Sequence, residues 1–333
     1  MDCGGVEVKF DYLDIKMKVA VLGASGLLGF AVCQSAIRRG HIVHPYSSFN
    51  SLVIEKCMTC KNLPLEEDEQ LTRELFDQWP DAIINCAAIS SPDSVNRFPE
   101  KAKEVNVTGA HRLASIASHI GARFIHISTD MVFDGTKSPY RSTDIPNPKS
   151  EYGNQKLEAE KRILSVSDEN IVVLRITLIN GNSPFGHRSQ HEKILRGLAE
   201  GKKLTFFDDE VRQPCSADNV ADAILELVER QQLNGLFHWA GSEEISRYDL
   251  AVRILEYFGI SKSKIDRGSI SNSPNEFRDR PKHLSFLLDP LSSKLCVRPL
   301  SVNEQIEQLQ IPPDLYSWYR SFAENPSSYI PRF

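Results

Sequence analysis

The run Gly23-Ala-Ser25-Gly26-Leu27-Leu28-Gly29 stands between the apolar stretch Lys18–Leu22 and the helix-like stretch Leu27–Arg39. A strand that ends on closely spaced glycines and passes straight into a helix limits the fold more than any other feature of this chain. Glycine lets the backbone turn tightly and approach a diphosphate, whose charge then meets free N–H groups at the positive end of the helix. The spacing alone is weak, because a purely structural turn uses the same residues. The strand–turn–helix context makes a dinucleotide site the expectation, with Gly23, Ser25, Gly26, Leu27, Leu28 and Gly29 lining it.

At 333 residues, with 41% hydrophobic and 25% charged side chains, the chain can bury a sizeable core and hold two domains. Apolar runs at Lys18–Leu22, His41–Tyr46, Ala82–Ala87, Arg123–Ser128 and Ile171–Ile176 read as strands. Between them, Leu27–Arg39, Glu67–Trp79, Pro99–Ile120 and Glu151–Ser165 read as helices, with an irregular connection over Ser47–Lys61. This alternation predicts an α/β protein built on a Rossmann-type, doubly wound parallel sheet. Past residue 180 the pattern fades into helices near Glu192–Glu200, Asn219–Gln231 and Ser246–Phe258, separated by loops such as Ser269–Pro281. The expected layout is an extension over 1–16, an NAD(P)-binding domain over 17–180, a smaller C-terminal α/β substrate-binding region over 181–310, and a tail over 311–333. Asn219–Trp239 is expected to return to the main sheet.

A formal net charge of −5 argues against non-specific nucleic-acid binding. No apolar run approaches the roughly 18 residues of a membrane helix. The N-terminal stretch carries Asp2, Glu7, Asp11 and Asp14 where a signal peptide would have an apolar core, so a cytoplasmic location is expected. Seven cysteines, odd in number and scattered, fit free thiols in a reducing compartment. Cys57-Met-Thr-Cys60 lacks the second close pair that a zinc site needs, and no metal is expected.

Tyr152 and Lys156 lie four apart, on one face of their helix. An ammonium beside a phenol favours phenolate, and such a tyrosine can exchange a proton with a carbinol or carbonyl oxygen while a nicotinamide handles the hydride. Thr129 ends a strand, where its hydroxyl faces the crevice at the carboxyl edge of a parallel sheet. A tyrosine and lysine at this spacing occur by chance on many helices. Preceded by a dinucleotide turn and the Ser128-Thr129 strand end, they read as a catalytic set of Thr129, Tyr152 and Lys156, the last two also touching the cofactor.

The second strand runs into His44-Pro-Tyr-Ser47-Ser48, with no Asp or Glu to hold ribose hydroxyls. Nothing there repels a 2′-phosphate, and Ser47, Ser48 or Arg39 can bond to one, so NADP(H) is favoured over NAD(H). The small residues Cys86, Ala87 and Ala88 let a cofactor lie close, although a plain tight turn would look the same. Asn106 completes the expected cofactor set.

Together these motifs resemble the extended short-chain dehydrogenase/reductases. Ser128-Thr-Asp-Met-Val-Phe-Asp-Gly135, Leu174-Arg175, Gly235-Leu-Phe-His-Trp239, Arg280-Pro281, Leu288-Asp289 and Ser293-Lys-Leu295 narrow the likeness. From about Lys18 to Leu295 the chain is similar to the dTDP-4-dehydrorhamnose reductase family. That resemblance implies reduction of a nucleotide-linked 4-keto-6-deoxyhexose with NAD(P)H, and carries the active-site roles onto Thr129, Tyr152 and Lys156. Within the family, Cys86-Ala-Ala88, Pro92-Asp93, Asp134-Gly-Thr136, Pro139-Tyr-Arg141, Asp144-Ile-Pro146 and Phe237-His-Trp239 are most similar to a regulatory β-subunit branch. That branch binds NADP(H) and a methionine adenosyltransferase catalytic subunit, and it keeps the tyrosine and lysine. The resemblance therefore implies either a regulator in S-adenosylmethionine biosynthesis or an active reductase in dTDP-L-rhamnose biosynthesis.

Two departures stand out. Met131 occupies the place of a family tyrosine, and a thioether neither donates a hydrogen bond nor stacks like a phenol. Related dehydratases carry glutamate there, so elimination of water is not expected. The tail Gln310–Phe333 does not match the tail with which the regulatory branch enters its partner. Its Trp318, Tyr319, Phe322 and Tyr329 read either as partner anchors or as cover for the protein's own surface. The resemblance also places Met131, Arg212 and Arg280 against a sugar nucleotide, roles that the two arginines share with structural ion pairing. His238 and Trp239 read as core.

Overall fold

The computed structural model describes residues 16–48, 53–54, 58–272 and 280–331. Strands that are apolar on both faces demand cover on both sides. In β1 (Lys18–Leu22), Val19 and Val21 enter one core while Ala20 and Leu22 enter the other. The parallel sheet continues with β2 (Ile42–Ser47), β3 (Lys61–Asn62), β4 (Ala82–Asn85), β5 (Arg123–Thr129), β6 (Ile171–Ile176) and β7 (Gly235–Trp239). Its order is β3-β2-β1-β4-β5-β6-β7. The order reverses between β1 and β4, the switch point beyond whose carboxyl ends such sheets bind ligands.

The longer helices are α1 (Leu27–Arg38), α2 (Asp68–Gln78), α3 (Ala110–Ile120), α4 (Glu151–Leu164), α5 (Gln190–Ala199), α6 (Ala217–Glu229) and α7 (Arg247–Tyr257). On one face of the sheet, Ala31 and Val32 of α1 pack with Val220 and Ile224 of α6. On the other, Leu71 and Leu75 of α2 join Leu113 of α3 and Ile163 of α4. Strand β7 reaches the sheet from the second half of the chain, pairing Gly235–Trp239 with Val172–Ile176. Arg123, buried at the start of β5, gathers the end of α6: its Nε donates to Leu227 O at 3.1 Å, and its other nitrogens donate to Leu233 O and the Asn234 side chain. One guanidinium thus satisfies carbonyls that a helix end leaves without intrahelical partners.

The expected long helix over Pro99–Ile120 is interrupted. Pro99–Lys103 is helical, Glu104–Gly109 is a π-turn, and α3 follows. Asn106 sits in that wider turn and clamps the chain after β4, accepting from Ile89 N at 2.9 Å and donating to Ile89 O at 3.1 Å.

A third core holds Leu195 of α5, Leu250, Ile254 and Leu255 of α7, and Phe258. Tyr319 and Tyr329 of the tail are buried in it, with Tyr319 donating to Phe258 O at 2.9 Å. Trp318 and Phe322 stack 4.6 Å apart beside them. Of the two readings of the aromatic tail, the structure takes the second: it covers the protein's own surface. No helix among the described residues is long and apolar enough to cross a membrane.

Candidate functional site

The β1–α1 turn is built for close approach. A Cβ on Gly23 would lie 2.7 Å from Ala87 N, and one on Gly29 would lie 2.2 Å from Gly23 O. The turn therefore rests directly on the Cys86–Ala88 segment beyond β4. Gly26 gives α1 no side-chain cap, and the first turn of α1 holds no acidic residue. The positive end of the helix, with Ser25, Leu27 and Leu28 beside it, is left to meet an anion at the switch point. These residues fit the diphosphate of a dinucleotide.

At the carboxyl end of β2, Ser47 is buried and Ser48 exposed. The register Ser47↔Asn62 sets Asn62 and Lys61 of β3 beside them. Neither was visible in the sequence, because so short a strand leaves no periodic signal in an irregular connection. Arg39 is elsewhere. It follows the C-terminal end of α1, at the opposite edge of the sheet, where Nη1 donates to both carboxylate oxygens of Glu229 at 2.8 and 3.0 Å. Cys57 lies outside the described residues, and Cys60 is buried in the α1-side core.

Thr129 closes β5, its Oγ1 donating to Asp130 Oδ1 at 3.1 Å and accepting from Met131 N at 3.2 Å. Helix α4 begins against this corner, capped by Ser150, whose Oγ accepts from Gly153 N at 3.1 Å. A Cβ on Gly153 would lie 2.3 Å from Met131 O, so only glycine lets the first turn of α4 come this close. That contact brings Tyr152 to Thr129. Burial pushes the Tyr152 phenol up, the Asp130 carboxylate adds to the rise, and Thr129 opposes it. Burial brings Lys156 down to about 8, against Glu160 and Cys86. Its Nζ donates to Ile127 O at 2.6 Å and lies 2.9 Å from His126 Nε2. The sequence suggested a phenol lowered by its lysine. Burial first, and then the Asp130 carboxylate, push the phenol the other way, while the amine turns toward β5.

Asp130, buried beside this pair, is raised to about 6 by burial, with Arg212 and the Thr129 hydroxyl opposing. Its folded value exceeds the ordinary one, so the stability it contributes is full below about pH 4 and lost as pH rises through about 6. Asp130→Asn should therefore be more stable than the parent at pH 7 by about 2–3 kcal/mol, and equal to it near pH 4. Urea unfolding at the two pH values checks this; a constant difference would reject it.

Beneath the corner, Glu160 of α4 accepts two bonds from Arg175 of β6, at 2.9 and 2.6 Å, and one from Ser128. The Arg175 guanidinium also sits 5.1 Å from the Phe133 ring centre. On the substrate side Met131 is half-buried. Arg212 is buried, its Nη2 donating to Glu210 at 3.0 Å and Pro281 O at 2.9 Å, and its Nη1 to Val211 O at 2.7 Å. Arg280 is exposed, near enough for Arg247 to feel both it and Arg212. His238 and Trp239 are buried, as expected of core residues. The sequence reading missed His126, Asp130 and Glu160. A histidine in the middle of an otherwise apolar strand was the one available signal.

The family described as RmlD substrate binding domain matches residues 17–310. The chain is 33% identical to methionine adenosyltransferase 2 subunit beta of Bos taurus over 279 residues, covering 80% of this chain and 79% of that one. It is 34% identical over 253 residues to "Probable low-salt glycan biosynthesis reductase Agl14" of Haloferax volcanii, covering 73% and 81%. A solved structure of a hypothetical dTDP-4-dehydrorhamnose reductase from Sulfolobus tokodaii aligns with a TM-score of 0.72 at 30% identity, covering 86% of this chain and 98% of that one. The dinucleotide turn, the Thr129–Tyr152–Lys156 corner and these likenesses agree: the chain belongs to the RmlD substrate binding domain family.

Proposed function

We propose that this protein is an NADP(H)-binding regulatory subunit that docks a methionine adenosyltransferase catalytic subunit in S-adenosylmethionine biosynthesis. The similarity to the bovine β subunit, 33% identity along four-fifths of both chains, carries this reading. The site supports a quiet role. Met131 offers no donor to a substrate, Arg212 spends its donors on its own chain, and Lys156 is engaged with His126 and Ile127 O.

The Gly23–Gly29 turn and the start of α1 would hold the diphosphate, Ser47 and Ser48 the adenosine 2′-phosphate, and Lys156 the ribose beside the nicotinamide. Cys86–Ala88, shaped by Asn106, would back that ring. Bound there, the dinucleotide supplies a hydride donor. With no carboxylate at the end of β2, NADPH should bind at least about tenfold more tightly than NADH. Fluorescence titration measures this, and equal affinities would reject the preference.

A second reading, an active dTDP-4-dehydrorhamnose reductase, draws on the same corner. A protonated Tyr152 beside the Thr129 hydroxyl can hold a carbonyl oxygen and deliver a proton to it. The Haloferax and Sulfolobus likenesses support it. NADPH absorbance with dTDP-4-dehydrorhamnose separates the two readings. The regulatory reading expects a flat trace. The reductase reading expects a decline that Tyr152→Phe slows by about 10²–10⁴.

A further inference from the structure

A cavity of about 400 Å³ opens between α1 and the start of α6, and no residue assigned above to the dinucleotide or the substrate lines it. Phe30, Gln34 and Arg38 reach it from one face of α1. Gln308 and Gln310 form a second wall, held by Asn182. The Asn182 amide spends both ends on that segment, Nδ2 donating to Gln308 O at 2.9 Å and Oδ1 accepting from Gln310 N at 2.8 Å. Ser216 Oγ donates to Gln308 Oε1 at 2.6 Å, which leaves the Gln308 Nε2 donor unspent. Among the described residues, the side chains of Gln34 and Gln310 make no hydrogen bond.

Asp218 brings to this cavity a half-buried carboxyl that accepts no hydrogen bond among the described residues. Its place in the first turn of α6 suits the helix dipole but leaves its lone pairs unused. Burial holds the carboxyl above its usual range, with Arg38 opposing and Asp222 adding to the rise. Asp222 is engaged, accepting from Ser35 Oγ at 2.5 Å. Arg38 is exposed and reaches Asp222 only at 3.8 Å. Two carboxyls facing one guanidinium leave this group with an excess of negative charge. A cation carrying N–H donors satisfies both that charge and the unused lone pairs. The primary amides offer donors and acceptors together, the complement of peptide N–H and C=O groups. The half-buried Phe30 ring can cover the methylene stem of a long basic side chain.

We infer that this cavity docks a segment of a partner polypeptide, taking one lysine or arginine side chain against Asp218 and pairing the flanking peptide groups with Gln34, Gln308 and Gln310. The inference does not depend on what the dinucleotide site does.

NMR titration of the full-length protein, following its glutamine side-chain amides, tests it with a short capped peptide carrying one central arginine. That peptide should shift the Gln34 and Gln310 signals and saturate with a Kd below about 1 mM. The same peptide with citrulline, a neutral isostere of arginine, should bind at least about tenfold more weakly. Asp218→Asn should remove the difference between the two peptides. Gln34→Leu, on the α1 side of the cavity, keeps the charge and should weaken both peptides by about the same factor, roughly threefold. Equal affinity of the parent protein for arginine and citrulline peptides would overturn the inference, as would the absence of any shift at about 5 mM peptide. Agmatine binding as tightly as the arginine peptide would overturn the polypeptide assignment and give the cavity to free amines.

Discussion

Glu160→Ala should cost the fold about 3–5 kcal/mol, the usual penalty for stripping one partner from a buried ion pair. Both side chains of the Glu160–Arg175 pair are at most 3% exposed. Loss of the carboxylate leaves a guanidinium buried between β6 and the Phe133 ring, with only His238 Nε2 nearby at 3.4 Å. Arg175 cannot shed its proton, so the charge stays uncompensated. It also frees the Ser128 hydroxyl next to Thr129, so damage spreads to the Thr129–Tyr152–Lys156 corner. Replacing both partners by apolar residues, as in Glu160→Leu with Arg175→Met, should recover much of the loss, because no charge then remains to be solvated. Urea unfolding of the three proteins measures it. A single-mutant loss below about 1 kcal/mol would show that water reaches the pair.

Gly29→Ala should weaken NADPH binding by about 10- to 100-fold while leaving the rest of the sheet intact. The added methyl would meet the backbone of Gly23, its carbonyl oxygen at 2.2 Å and carbon at 2.7 Å, and no flexible side chain is there to give way. The start of α1 must then move off the turn. Overpacking of this kind commonly costs about 1–3 kcal/mol, which converts to the stated range where the displaced N–H groups are the ones that face the diphosphate. Fluorescence titration with NADPH, with the unfolding midpoint as a control, separates lost binding from lost fold. Unchanged affinity would place the dinucleotide somewhere other than this turn.

Where burial is two-sided the sequence was easy to read. Lys18–Leu22 and Ile171–Ile176 fall where their apolar runs put them. Helix starts were harder, since a cap acts before the apolar pattern begins. Glu192 Oε2 accepts from Ser189 N at 2.9 Å, so α5 opens at Gln190, two residues ahead of the expected Glu192. The π-turn at Glu104–Gly109 was hidden, because the contact that favours it, Asn106 to Ile89, joins residues on separate elements. Within the site, Thr129, Tyr152 and Lys156 were legible from spacing and strand position. The tuning of that corner was not. It comes from Asp130, His126 and Glu160, whose effects arise from burial and from partners on other elements, such as Asn85, 41 positions from His126, and Arg175, 15 positions from Glu160. Arg39 shows the same limit from the other side: its neighbours in sequence suggested a phosphate, and its fold position gave it Glu229.

We propose a complex between this protein, loaded with NADPH, and methionine adenosyltransferase. Its most direct test is size-exclusion chromatography with light scattering of the full-length protein, NADPH and a methionine adenosyltransferase catalytic subunit. One joint peak is expected at the summed mass of a defined complex, with both chains in it. Two separate peaks at concentrations well above those of the cell would contradict it and leave the reductase reading of the Thr129–Tyr152–Lys156 corner.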